Sequence, residues 1–270
     1  MKLKYSLFFI LIITLTSCKE NVEFNKIVKA DDPELKYAKA MEYYQQGSYY
    51  KAIQLIEMII PYYRGTTKSQ ELYYHMAWSY YYQGDYIMAS YHFKEFARTF
   101  PSSKYAEECA FQTAYCKYML APPYYLDQSI TKGAIKDFQL FITRYPNSVK
   151  VKDAKECIDK LTANLEKKDF TNSKLYYDIK EYKAAIVSLN NFIKDYPASK
   201  FKEEAQFYLC LSHFYYALNS VADKQLPRFL EAIDVINNFT MLYPDSQYAN
   251  KLNLIKAEIE KQIESKQNIL

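Results

Sequence analysis

The stretch Ala89-Ser90-Tyr91-His92-Phe93-Lys94-Glu95-Phe96-Ala97-Arg98-Thr99-Phe100-Pro101-Ser102-Ser103 decides how this chain folds. A small residue is followed by bulky ones four, seven and eleven places on, which is one face of an α-helix. The aromatic-Pro pair ends that helix, because proline lacks the amide hydrogen and restricts the residue before it. Ser103, two places beyond the proline, is expected to cap the next helix by accepting a backbone N–H.

The same pattern returns three times. It reads Ala134…Phe138…Phe141…Tyr145-Pro146…Ser148, then Ala185…Leu189…Phe192…Tyr196-Pro197…Ser199, then Ala232…Ile236…Phe239…Tyr243-Pro244…Ser246. The step from Ala to Pro is twelve in all four copies, a coincidence of spacing that chance does not supply. A second repeat lies upstream. Tyr43-Tyr44-Gln45-Gln46-Gly47-Ser48-Tyr49 aligns with Tyr80-Tyr81-Tyr82-Gln83-Gly84-Asp85-Tyr86 at an offset of 37, and a third copy from Tyr176 has Lys180 in place of the glycine.

Together these describe paired antiparallel helices: Ala at the close approach, Gly at the turn, Pro at the exit. This is tetratricopeptide grammar. The expected fold class is all-α, a tetratricopeptide-type solenoid of about five helical hairpins over residues 33–270. Second helices are expected at 49–63, 86–100, 131–145, 182–196 and 228–243, with a C-terminal capping helix at 247–266. The Pro-to-Pro steps of 45, 51 and 47 exceed the tetratricopeptide consensus of about 34, so the excess goes into longer first helices and loops such as Ala121-Pro122-Pro123-Tyr124-Tyr125.

The N-terminus reads as an address. Lys2 and Lys4 precede the apolar run Leu7–Ile13, which is too short to span a bilayer, and Leu15-Thr16-Ser17-Cys18 resembles a bacterial lipobox. Residues 1–17 are expected to be a lipoprotein signal peptide and Cys18 the lipidation site, anchoring the chain to the outer membrane on its periplasmic face. Acyl chains contribute about 0.8 kcal/mol per buried methylene, enough for a lasting anchor. Lys19 follows the cysteine and is compatible with outer-membrane sorting. Residues 18–32 are polar and read as a flexible tether reaching at most about 50 Å.

Composition narrows the function. Without Lys2 and Lys4 the balance is 33 basic against 31 acidic residues and no basic stripe is visible, which argues against nucleic acid as a partner. Cys109 and Cys116 sit two helical turns apart on one helix, too far to bridge; with Cys157 and Cys210 they read as small packing residues, while a bridge between helices stays open because spacing does not decide it. His75, His92 and His213 are isolated, and Glu107-Glu108 and Glu203-Glu204 read as solvated charges at helix starts. No phosphate loop, nucleophile elbow or metal-binding spacing is present, so no catalytic residue, cofactor or metal is expected.

A binding face is expected instead. Around the small positions Ala40, Ala77 and Ala114 of three first helices, the inward residues are Tyr37, Met41 and Tyr44, then Tyr74, Trp78 and Tyr81, then Phe111, Tyr115 and Tyr118. Such an aromatic groove with polar tips suits an extended peptide.

With the lipobox, the short tether, the five unequal units and the junction Arg144-Tyr145-Pro146-Asn147-Ser148, the chain resembles the BamD (YfiO) family, lipoproteins of the outer-membrane β-barrel assembly machine. Arg64 departs from the pattern, standing where the first unit should have proline. The resemblance implies C-terminal repeats that bind a BamA-like barrel insertase and N-terminal repeats that receive targeting strands of unfolded outer-membrane proteins. The alternative is another periplasmic tetratricopeptide lipoprotein scaffold, for example one coordinating peptidoglycan assembly.

Overall fold

The computed structural model describes residues 22–267; the signal peptide expected at residues 1–17 and the lipidation site expected at Cys18 lie outside that range. Every described element is a helix. Residues 22–29 form α1. Five hairpins follow: α2 (Pro33–Gln45) with α3 (Tyr49–Ile59), α4 (Thr67–Tyr82) with α5 (Tyr86–Thr99), and α6 (Ala106–Met119) with α7 (Ser129–Arg144); then α8 (Val151–Asp178) with α9 (Tyr182–Asp195), and α10 (Lys202–Leu218) with α11 (Ala222–Leu242). α12 (Ala249–Gln267) closes the chain. The expected solenoid of five hairpins plus a terminal helix is what the chain forms.

The alanine code is obeyed throughout. Ala40, Ala52, Ala77, Ala89, Ala114, Ala134, Ala185 and Ala232 are completely buried where paired helices touch. The bulky residues that follow them, including Phe93, Phe138, Leu189 and Ile236, are likewise sealed, each contributing about 1.5–3 kcal/mol by burial. Helices α5, α7, α9 and α11 each end one residue before the aromatic of the aromatic-Pro pair.

The junction serines act one step earlier than a helix cap. Ser103, Ser148, Ser199 and Ser246 accept the N–H two residues on (3.3, 3.1, 3.2 and 3.1 Å), while their carbonyls accept from the residue three on. Each serine therefore builds the turn that launches the helix, and the helix proper begins three residues downstream.

Three hairpin turns share one hydrogen-bond plan. Ser48 N–H reaches Tyr43 O, Asp85 N–H reaches Tyr80 O and Glu181 N–H reaches Tyr176 O, each at 2.8–3.0 Å. The residue in between must turn left-handed: Gly47 at φ +77°, Gly84 at φ +78°, and Lys180 at φ +66°.

Two expectations need correction. Residues 22–29 of the supposed tether are helical, with Phe24 and Ile27 buried against α2 and α3 and Phe24 edge-on to Tyr43 at 5.7 Å. Two apolar residues three apart suffice to dock one helical turn, although charged neighbours hide them in the sequence. α11 begins at Ala222, not 228, and carries Pro227 inside it.

The chain divides into two compact units. The first runs to Leu161 without Pro123–Leu126, and the second takes that loop and everything from Thr162. The loop is held in the second unit by Lys168 Nζ donating to Leu126 O (2.6 Å) and by Lys167 lying over the Tyr124 ring (4.2 Å). Each unit closes alike. Ala154, Cys157 and Leu161 of α8 seal the core around Phe138 and Phe141 in the first unit, and Leu252 and Ile259 of α12 seal one in the second.

Candidate functional site

In the first unit, α2, α4 and α6 present the side chains flanking Ala40, Ala77 and Ala114. Eight of the nine expected groove residues are half-buried there. Phe111 is the exception: at 5% exposure it belongs to the core, edge-on to Phe138 and Phe141. Its benzyl ring lacks a polar tip to bring to water, so it turns inward where the tyrosines do not.

The half-buried rings form local ladders. Tyr44 meets Tyr49 and His75 at 5.8 and 4.4 Å. Tyr74 stacks on Tyr105 at 4.2 Å and meets Trp78 edge-on. Trp78 also contacts Tyr81, Tyr82 and Phe93. Tyr81 leans on Tyr86, and Phe111, Tyr115 and Tyr118 run as successive stacks at 5.8 and 5.7 Å. Met41 packs beside the first core. Such rings are fixed before any partner arrives, which lowers the entropy lost on binding.

Polar ties between successive first helices fix the spacing of the face. Tyr37 OH donates to Glu71, and Tyr74 OH donates to Glu108 at 2.7 Å. Lys68 Nζ meets Glu34 at 2.5 Å. All three ties span 34 residues, the tetratricopeptide period. That interval was open to sequence reading, but nothing in a lone Glu says which Tyr it will meet. Burial, followed by the bonded carboxylates Glu71 and Glu108, pushes the Tyr37 and Tyr74 hydroxyls well above their ordinary range. Tyr44 is raised to about 12, chiefly by burial. These tyrosines therefore act at neutral pH as neutral hydrogen-bonding groups.

The paired glutamates are more than solvated charges. Glu107 accepts from Ser148 Oγ and Glu203 from Ser246 Oγ, both at 2.6 Å, tying the start of α6 and of α10 to the junction serine one hairpin on.

Cys109, Cys116, Cys157 and Cys210 are free and buried. Burial pushes the Cys116 and Cys210 thiols up to about 12 and raises Cys109 and Cys157 as well, so none is a thiolate at neutral pH. Among the described residues no group of His, Cys, Asp and Glu is arranged to hold a metal ion, and no helix is long and apolar enough to cross a membrane.

Hairpins packed through alanine, left-handed turns and aromatic exits define a protein of the tetratricopeptide-repeat class. The chain belongs to the family of outer membrane lipoproteins called YfiO, whose model matches residues 29–186 and 172–263. No curated protein sequence matches it. Among solved structures, it is similar to the TPR2AB domain–pHSP90 complex of yeast Sti1 at 12% identity and TM-score 0.37, covering 84% of this chain and 98% of that one. It is also similar to the apo form of RapI, at 14% identity and TM-score 0.31, covering 86% and 99% of the two chains. A MamA RS-1 variant matches at 17% identity and TM-score 0.23 over 73% and 97%.

Proposed function

We propose that this outer membrane lipoprotein is a non-enzymatic scaffold of the β-barrel assembly machine. It is lipidated at Cys18, faces the periplasm, docks a BamA-like insertase and receives targeting strands of unfolded outer-membrane proteins. The observation that carries the reading is the family match running through both units, from residue 29 to residue 263. The half-buried row Tyr37, Met41, Tyr44, Tyr74, Trp78, Tyr81, Tyr115 and Tyr118 supports strand reception. It offers flat apolar area with hydroxyl tips, the contact chemistry that an extended peptide needs.

The test is a pull-down from mild detergent combined with photo-cross-linking from Tyr81 in living cells. Expected are a large barrel protein among the stable partners and nascent barrel proteins cross-linked at Tyr81. Recovery of peptidoglycan synthases as the main partners, with no barrel insertase, overturns the reading. Recovery of the insertase with no nascent chain at Tyr81 removes strand reception and leaves the scaffold.

A further inference from the structure

On the second-helix side of the first unit, α5 and α7 flank a cavity of about 220 Å³. Its floor is Ala97, Ala110 and Phe141, and Leu140 stands at its lip, 63% exposed. A cavity of about 150 Å³ takes a benzene ring, so this one has room for one bulky side chain. Lys94, Arg98 and Arg144 surround it.

The charges there are lopsided. Asp137, the acidic lining residue, is already engaged by Lys117 at 2.6 Å. Arg98, itself exposed, bonds to the half-buried Glu95 on its own helix, and a partner's carboxylate can share its remaining donors. Arg144 lies over the ring of Tyr145, 5.5 Å away, and neither Arg144 nor Lys94 is in an ion pair among the described residues. The patch continues along α5. Ile87, Tyr91, Lys94 and Arg98 are all exposed at steps of four, three and four, so they form one outward stripe. On α7, Lys136, Leu140 and Arg144 recur every four residues and are exposed as well. Two helices thus offer parallel rows of apolar and cationic side chains with a socket between them.

The geometry points to a docking site for an acidic amphipathic helix of a partner protein, which seats one bulky apolar side chain in the socket and sets its carboxylates against Lys94, Arg98 and Arg144. A helix fits because a groove between two helices takes the apolar face of a third, and carboxylates fit the guanidinium fork. The socket accepts a ring and not the length of an acyl chain, so protein is favoured over lipid. The site is separate from the tyrosine face, and it stands or falls independently of strand reception.

The experiment uses the full-length lipoprotein with a photoreactive residue at Leu140, in cells that produce it, with mass spectrometry of the adduct. An adduct to an acidic amphipathic segment, lost in the triple variant Lys94→Glu, Arg98→Glu, Arg144→Glu while the helical circular dichroism is unchanged, is the expected result. In parallel, the purified chain in detergent is titrated with a synthetic Glu-rich helix bearing a central Phe. Affinity is expected to drop on the order of tenfold for the triple variant, and comparably when the peptide's Phe becomes Ala. A phospholipid adduct at Leu140, equal binding of a Lys-rich helix, or indifference to the peptide's Phe overturns the proposal.

Discussion

The turn at Gly84 and the turn at Lys180 are one structure written in two ways. In each, a first helix ends in paired tyrosines, the chain turns left-handed for one residue, and a tyrosine opens the second helix. Tyr81 meets Tyr86 at 5.3 Å, and Tyr177 meets Tyr182 at 5.9 Å. The rings extend to the following hairpin: Tyr182 stacks on Tyr215 at 5.3 Å, as Tyr49 after the Gly47 turn stacks on Tyr82 at 5.0 Å. Yet one left-handed position is glycine and the other lysine, which crosses into that region at a cost of about 1–2 kcal/mol. Packing on both sides of a turn can therefore dictate a backbone angle that the residue itself resists.

The sharpest way to break the equivalence is at the sealed residue behind each turn. Phe93 and Leu189 occupy the same place, four after the hairpin alanine, and both are fully buried. Phe93→Ala is expected to cost about 3–5 kcal/mol and Leu189→Ala about 2–5 kcal/mol, read from urea midpoints. Equal, negligible losses would mean that these cores are not what holds the hairpins.

Next in size is an exchange of the turn residues. A Cβ at Gly84 meets nothing within 4 Å, so backbone strain is the whole effect. Gly84→Ala is expected to lose about 1 kcal/mol, and Lys180→Gly to gain about 0.5–1 kcal/mol after the added freedom of the unfolded chain is subtracted. Native-state hydrogen exchange at the Asp85 and Glu181 amides measures both; a loss of protection at Glu181 in Lys180→Gly contradicts the strain account.

Acid probes buried histidines in both units, since burial lowers the pKa of His213 as it does that of the pair beside the glycine turns. His75 lies against Tyr44 at 4.4 Å and His92 stacks on Tyr80 at 5.0 Å, both beside the glycine turns. Burial lowers the pKa of both imidazoles. Unfolding returns them to about 6.5, so the unfolded chain binds protons more readily. Stability is then whole above that value and is lost as pH falls from it toward the folded pKa. Unfolding free energy should decline from pH 7 to 5, and the double variant His75→Phe, His92→Phe should flatten the slope.

The smallest effect belongs to a surface tie in the second unit. Tyr196 OH donates to Asp169 at 2.6 Å, and burial followed by that carboxylate raises the tyrosine's pKa. Asp169→Asn keeps an acceptor, so a loss of no more than about 1 kcal/mol is expected by thermal unfolding.

What could be read from the sequence was whatever rests on spacing within one helix. The Ala-to-Pro interval placed the ends of α5, α7, α9 and α11 to within a residue, because the proline fixes them chemically. α1 was missed because Phe24 and Ile27 gain meaning only once α2 and α3 exist to receive them. α11 starts upstream of 228 with Pro227 inside it, because in the second helical turn the proline forfeits a single hydrogen bond. At the candidate site, the row of aromatics was visible as a pattern, but the inward turn of Phe111 and the partners of Glu71, Glu107 and Glu108 depend on helices tens of residues away.

The docking of α1 bears on the mooring proposed at Cys18. From Cys18 to Val22, the first described residue of the helix, there are four peptide steps, which span at most about 14 Å. A fourteen-residue leash would let the body roam; the proposed anchor at Cys18 would not. With lipid there, the first hairpin would ride close to the bilayer surface, and partners embedded in the membrane would meet it at one height.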